Sequence, residues 1–502
     1  MKKLLLLVVL VGSVLMLQAQ KLEKTAVVIE KLKGTDNPDV IQGLGSDEDN
    51  YYVYRGIMGS GSAFVEGSFF VINKKLTTVK EFPLIKEKDD RFLWVQAADE
   101  DLIILLARDK KGEQRTQIIK QAYSKSTGKL KKETVIASFQ KSKSDNWYFY
   151  SSTSPDKTKN CFLFMLATKK KSVDSYYAAV LNQNCEVEFD DTHDLEVSNE
   201  SFGVGDIAVT NNGNMYIAFY SCPSTNSANK NNYIDLIQLT NASKDKTNLR
   251  VEEGNSEREI QLKALKNNDI YLAGIFSRGF DRIFYSVKIN GSNLNFSEIH
   301  KQIFIGENIV ELKNGNLLTN DMETTASMSI IDVLELNNGN VAVLLERSQT
   351  SVYESGCFKN CWAITTVFAK GSDASIENFS VMKKRQSIRS KYIRTSYQSL
   401  HLSIFPFVYG DKASYLFNDC LKRFATPSKY RTDHYFRKAS GDDASIALSV
   451  QESGEKNQLT ALTGNSLPAK RLVREILFQE NDKLIVLTRN NKEAYIETIT
   501  LP

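Results

Sequence analysis

Three groups of acidic residues are the first places where this sequence could do chemistry. They are Asp47, Glu48 and Asp49; Asp99, Glu100 and Asp101; and Asp190, Asp191 and Asp194. Clustered carboxylates can hold calcium, and a spaced pair can hydrolyse a glycosidic bond. None of the three shows the alternating ligand pattern of a calcium loop, and the box Ser-x-Asp-x-Gly-x-x-Trp is absent. They read as solvated turns. His193, His300, His401 and His434 are the only histidines and share no ligand spacing. No phosphate loop G-x-x-x-x-G-K-[ST], nucleophile elbow G-x-S-x-G, zinc motif H-E-x-x-H or C-x-x-C pair occurs. The sequence therefore assigns no catalytic, metal or cofactor-binding residue, and no cofactor is expected.

The cysteines and the cations are more specific. Cys161, Cys185, Cys222, Cys357, Cys361 and Cys420 make an even count, which permits disulfides in an oxidising compartment. A symmetric hairpin centred on Val173 sets Cys161 opposite Cys185, close enough to bridge. Such a bond would contribute about 3 kcal/mol in the chain-entropy view. Cys357 and Cys361 are a weaker candidate for a local bridge. Lys383, Lys384, Arg385, Arg389, Lys391 and Arg394 fall within twelve residues that contain no acid. Lys422, Arg423, Lys429, Arg431, Arg437 and Lys438 follow, interleaved with Tyr430, Tyr435 and Phe436. Arg and Tyr are favoured at interfaces. The first run, with Arg431 and Tyr435, reads as an inserted loop that docks an acidic protein or anionic lipid headgroups. A plain solvated loop is the competing reading.

The elements that must position these residues repeat along the chain. A turn rich in Asn, Asp and Gly precedes a short apolar strand eight times, with strands starting at 51, 102, 161, 215, 270, 341, 413 and 484. Asn, Asp and Gly suit such turns because they tolerate positive φ and bond to local backbone. The spacings are 51, 59, 54, 55, 71, 72 and 71 residues, enough for a four-stranded blade with loops of varying length. A second strand follows each first, as in Tyr176 to Leu181 and Ile234 to Leu239. The last repeat offers only three strands, and Thr25 to Ile29 near the other end is unclaimed. The expected fold is all-β: a single closed β-propeller of about eight four-stranded blades over residues 21–502. The N-terminal strand closes the last blade. Seven blades is the alternative, because the signal fades around residues 304–330.

Met1 to Gln20 read as a signal peptide, with Lys2 and Lys3 before an apolar run and Ala19 as the small residue near cleavage. No later stretch is long and apolar enough for a spanning helix. Without the leader the chain carries 62 basic and 60 acidic residues, which argues against nucleic-acid binding. The repeats Asn211 to Tyr220 and Asn337 to Leu345 resemble those of exported propeller proteins of two-membraned bacteria. That resemblance implies a fold and no particular activity. The chain ends in a blade strand and not in a separate sorting domain. The expectation is thus a periplasmic, non-enzymatic scaffold or plug-like accessory subunit of an outer-membrane complex, such as a type 9 secretion translocon. An extracellular location is the alternative for the compartment. A carbohydrate-binding or carbohydrate-degrading site in the central funnel is the alternative function.

Overall fold

A computed structural model describes residues 22–29, 39–58, 64–77, 79–87, 90–110, 112–140, 146–167, 175–194, 201–222, 232–251, 255–278, 281–304, 327–353, 356–390, 404–420, 444–451, 458–461, 472–489 and 494–501. The signal-peptide segment lies outside them. Among the described residues all regular structure is β, in eight four-stranded antiparallel sheets. Blade I is β2 (Asp39–Ser46), β3 (Asn50–Met58), β4 (Phe64–Asn73) and β5 (Val79–Pro83), after β1 (Leu22–Ile29). Blade II is β6 (Arg91–Ala97), β7 (Asp101–Lys110), β8 (Arg115–Ser124) and β9 (Leu130–Gln140). Blade III is β10 (Asn146–Thr153), β11 (Lys159–Ala167), β12 (Ser175–Asn182) and β13 (Val187–Asp194). Blade IV is β14 (Ser201–Val209), β15 (Met215–Cys222), β16 (Asn232–Leu239) and β17 (Lys244–Val251). Blade V is β18 (Asn255–Ala264), β19 (Ile270–Arg278), β20 (Asp281–Ile289) and β21 (His300–Phe304). Blade VI is β22 (Ser327–Glu335), β23 (Val341–Tyr353), β24 (Gly356–Ala369) and β25 (Ile376–Ser390). Blade VII is β26 (Ile404–Tyr409), β27 (Lys412–Cys420), β28 (Ala444–Gln451) and β29 (Gln458–Ala461). Blade VIII is β30 (Leu472–Glu480), β31 (Lys483–Arg489) and β32 (Ala494–Thr500), completed by β1.

The ring closes as the sequence predicts. β1 runs antiparallel to β32, with Val28 opposite Tyr495 and Ile29 opposite Ala494. In six of the eight neighbouring blade pairs the first strand of one blade packs beside the first strand of the next, which puts these strands toward the central axis. Eight apolar clusters fill the eight gaps between blades, including one between blades VIII and I built on Val53, Phe70, Leu477 and Leu487. The second strands explain the strength of the repeat signal. On β11, Cys161, Leu163 and Met165 pack toward blade IV while Phe162 and Phe164 pack toward blade II. On β7, Leu102, Ile104 and Leu106 face blade I while Ile103 and Leu105 face blade III. Both faces are buried, so runs such as Leu102 to Ala107 are wholly apolar, and each fully buried large apolar side chain contributes about 1.5–3 kcal/mol.

The Asn-Asn-Gly-Asn turns do two things. Gly213 and Gly339 each sit at φ +83°, a left-handed conformation that disfavours any side chain. In each turn the backbone closes twice: Thr210 N–H donates to Asn214 O at 3.0 Å and Gly213 N–H to Thr210 O at 2.9 Å. The first Asn reaches outside its own blade. Asn211 accepts from Asp156 N–H at 3.1 Å and donates to Lys266 O at 3.1 Å, linking turns of blades III, IV and V. No helix among the described residues is long and apolar enough to cross a membrane.

Candidate functional site

Strand order gives the ring two unlike faces. The first-to-second and third-to-fourth strand connections emerge on one face and are short throughout. The remaining connections emerge on the other and include 305–326, 391–403 and 421–443, which lie outside the described residues.

The first two acidic groups belong to the short-turn face, and their roles are structural. Asp47 Oδ1 accepts the N–H groups of Asp49 and Asn50 at 2.9 and 2.8 Å. Burial pushes this carboxyl up, but the Tyr52 hydroxyl and those two N–H groups outweigh it and hold it below the usual carboxylate range. Asp99 offers its backbone oxygen to Lys125 Nζ at 3.0 Å, and that ammonium lies 4.6 Å above the Tyr52 ring. Burial draws Lys125 down further than Asp47, Asp99 and Asp101 raise it. These groups line a 640 Å³ cleft between blades I and II. Asp101 pairs with Lys131 at 2.7 Å. The third acidic group is not a turn: Asp190, Asp191 and Asp194 lie on outer strand β13, where Asp190 accepts from the Tyr177 hydroxyl at 2.9 Å. His193 is on β13 and His300 on β21, while His401 and His434 lie outside the described residues. Among the described residues no three His, Cys, Asp or Glu side chains gather as metal ligands.

Sequence reasoning missed a set of carboxylates on the inner strands. Asp206 on β14 follows a bulge, takes the N–H of Ile207 at 2.8 Å and reaches across to the N–H of Leu262 on β18 at 2.8 Å. Burial lifts its pKa to about 6, against the pull of those two N–H groups and Lys263. Asp332 on β22 follows an equivalent bulge, accepts from Val333 N–H at 2.8 Å, and is also raised by burial. Glu335 accepts Lys266 N–H of blade V at 2.9 Å. The signal was available: Asp206 and Asp332 each stand five residues before an Asn-Asn-Gly-Asn turn. These carboxylates satisfy backbone N–H groups at the bulges and, through Asp206 and Glu335, tie neighbouring blades.

The disulfide expectations are corrected. Cys161 stands opposite Val180, because the β11–β12 hairpin pairs Lys159 with Asn182 and is not centred on Val173. β12 ends at Asn182, and Cys185 sits in the following turn at φ +56°. Cys161 packs toward blade IV and Cys185 toward blade II, on opposite faces of blade III, and both are free and buried. Burial raises both thiols, Cys185 to about 12. Cys357 and Cys361 lie four residues apart on β24. A strand separates such positions by about 13 Å, roughly twice the Cα span a disulfide closes.

The basic run occupies a strand where the sequence reading placed an inserted loop. Lys383, Lys384, Arg385 and Arg389 are on β25, the outermost strand of blade VI. Lys391, Arg394, Arg431 and Tyr435 lie outside the described residues. Part of the extra repeat length is longer strand: β23, β24 and β25 have 13, 14 and 15 residues. β22 stops pairing at Ser327 opposite Ser348, yet β23 and β24 stay paired out to Tyr353 and Gly356. β25 follows them, with Ser390 opposite Cys357. The five further residues make a three-stranded tongue about 17 Å long. It rises from the face of the long connections. Residues 383–403 carry a net +6 and 421–438 a net +5, while the whole chain is +4. The remainder of the chain is therefore net −7.

No protein-family model matches the chain, and no curated protein matches it. Solved structures align with the chain at about one identical residue in ten. An ulvan lyase bound to a GlcA–Rha3S ligand is 9% identical with a TM-score of 0.37, over 71% of this chain and 81% of that one. Oligogalacturonate lyase in complex with manganese is 9% identical with a TM-score of 0.33, over 68% and 82%. The β-propeller domain of the trilobed protease from Pyrococcus furiosus is 9% identical with a TM-score of 0.30, over 68% and 95%. Likeness at this level says nothing of activity.

Proposed function

We propose that this β-propeller is a binding module of the cell envelope whose long-connection face docks an acidic region of a protein partner. One observation carries the reading: β25, the outermost strand of blade VI, carries Lys383, Lys384, Arg385 and Arg389 with no acid from Lys383 to Ser390, and the sequence stretches 383–403 and 421–438 total +11 in a chain that is otherwise net negative. Binding residues concentrate on connections held by a rigid scaffold, and a charged patch steers an oppositely charged partner. The leader-like first twenty residues support the periplasm as the compartment. An outer-membrane assembly, such as a type 9 secretion translocon, is the kind of partner this reading favours, with the propeller as scaffold or plug.

The test is capture from detergent-solubilised envelopes on immobilised protein, at several salt concentrations. The triple variant Lys383→Glu, Lys384→Glu, Arg385→Glu is expected to lose at least tenfold in captured partner. Wild-type capture is expected to fall as NaCl rises from 50 to 500 mM, since exposed charges are screened over that range. Equal capture by variant and wild type would remove the docking assignment.

A further inference from the structure

The blade VI tongue has an edge as well as a charge. β25 bonds to β24 on one side, and among the described residues its other side pairs with no strand. At 15 residues it is longer than every other outermost strand: β9 has 11, and β5, β21 and β29 have five, five and four. An unpaired strand presents a row of N–H and C=O groups that can template another strand. Charges along such an edge deter pairing, but only with strands that do not neutralise them. Lys383, Lys384, Arg385 and Arg389 on this edge, with Lys359 on the neighbouring β24, repel a second copy of the same edge. They leave an acidic strand as the favoured partner. Ser387 to Ser390 of β25 also stand beyond the paired end of β22.

We propose that β25 is a β-augmentation site: an extended acidic segment of the partner adds as a fifth strand along the regular stretch Gln386–Ser390, flanked by the cations at the bulge Lys384–Arg385. Backbone hydrogen bonds supply the affinity and the cations select the sequence, as in other strand-addition complexes. This inference rests on the docking reading above and adds a geometry to it.

The experiment uses the full chain and three synthetic probes, read by fluorescence anisotropy. The first is a ten-residue peptide alternating Glu with Val or Thr. The second has the same charge with Pro-Pro at its centre, which removes donors on both edges. The third alternates Lys in place of Glu. The expected result is binding of the first, at least tenfold weaker binding of the Pro-Pro form, and none of the basic form. The Lys383→Glu, Lys384→Glu, Arg385→Glu variant should bind the acidic peptide at least tenfold more weakly. A circular dichroism spectrum matching wild type checks that this variant is folded. Equal binding of the first two peptides overturns strand addition while leaving acidic docking at this face intact. Equal binding of the acidic and basic peptides, or of the acidic peptide by wild type and variant, overturns both. No binding of any probe overturns the strand-addition proposal, and envelope capture then judges the docking reading separately.

Discussion

Arg108 sits on β7 at 5% exposure, and its partner Asp90 is fully buried. The guanidinium donates to Asp90 at 2.7 and 2.9 Å and to Glu133 at 2.8 Å, and lies 3.0 Å from Glu87. A buried pair of this kind is weak evidence of net stabilisation, but removing one partner strands the other. Arg108→Met is expected to cost about 3–5 kcal/mol in denaturant unfolding, with part of the loss recovered when Asp90→Asn is added. A loss below about 1 kcal/mol would show that the buried Arg108–Asp90 pair contributes little to stability. Asp206 makes a different prediction. Its folded pKa lies near 6, above the ordinary 3.8, so the native state binds more protons than the unfolded chain between those values. Its contribution is fully present below about pH 4 and is lost as pH rises through 6. Asp206→Asn should flatten the fall of stability between pH 4 and 6.5, whatever its effect on the absolute level; parallel curves would count against this carboxyl as the titrating group. At this scale the sequence was only partly legible. The acidic turn at Asp47 could be read, because Asp beside Asn is turn chemistry at any position. The Cys161 partner could not, because hairpin register depends on where β12 ends, and Cys185 in its positive-φ turn looks in sequence like more strand.

The second strand of each blade is the element the sequence declares most clearly. Runs such as Leu102 to Ala107 and Met215 to Phe219 are buried on both faces between two neighbouring blades, so no polar residue interrupts them. The outermost strands are the reverse. β9, from Leu130 to Gln140, is exposed at five consecutive positions and reads in sequence as polar loop. The same reason hid β25: a basic strand at the rim and a basic loop have the same composition. β1 was legible because one blade was short by a strand. Its removal gives a sharp test, since β32 then becomes an open edge. Deleting residues 21–30 should lower the melting temperature and make the protein aggregate with concentration in light scattering. An unchanged melt would mean that β1 does not hold blade VIII. The first Asn of the repeat turn matters at this scale too. Asn211 holds two inter-blade hydrogen bonds of about 0.5–1.5 kcal/mol each. The apolar clusters between blades outweigh them, so the turns set register more than stability.

Across the whole molecule, the short-turn face and the long-connection face differ in construction, and β25 carries Lys383, Lys384, Arg385 and Arg389 toward the second. A ring with such polarity approaches an acidic surface in one orientation, which is what a docking module requires. Salt should therefore act on the rate of association more than on the rate of release, and stopped-flow measurement would show this. Closure has a further consequence, which concerns time. Val28 pairs with Tyr495, and the 466 residues between them must all be made before that contact can form. At about 5–20 residues per second, synthesis of that interval takes roughly 20–90 s. The strand that leaves the ribosome first is thus the last to find its neighbour. Through that interval blade VIII does not exist, and blades I and VII each keep an apolar flank uncovered. The molecule passes through its most vulnerable period as an open arc, and whatever guards that arc must act before the final strand arrives.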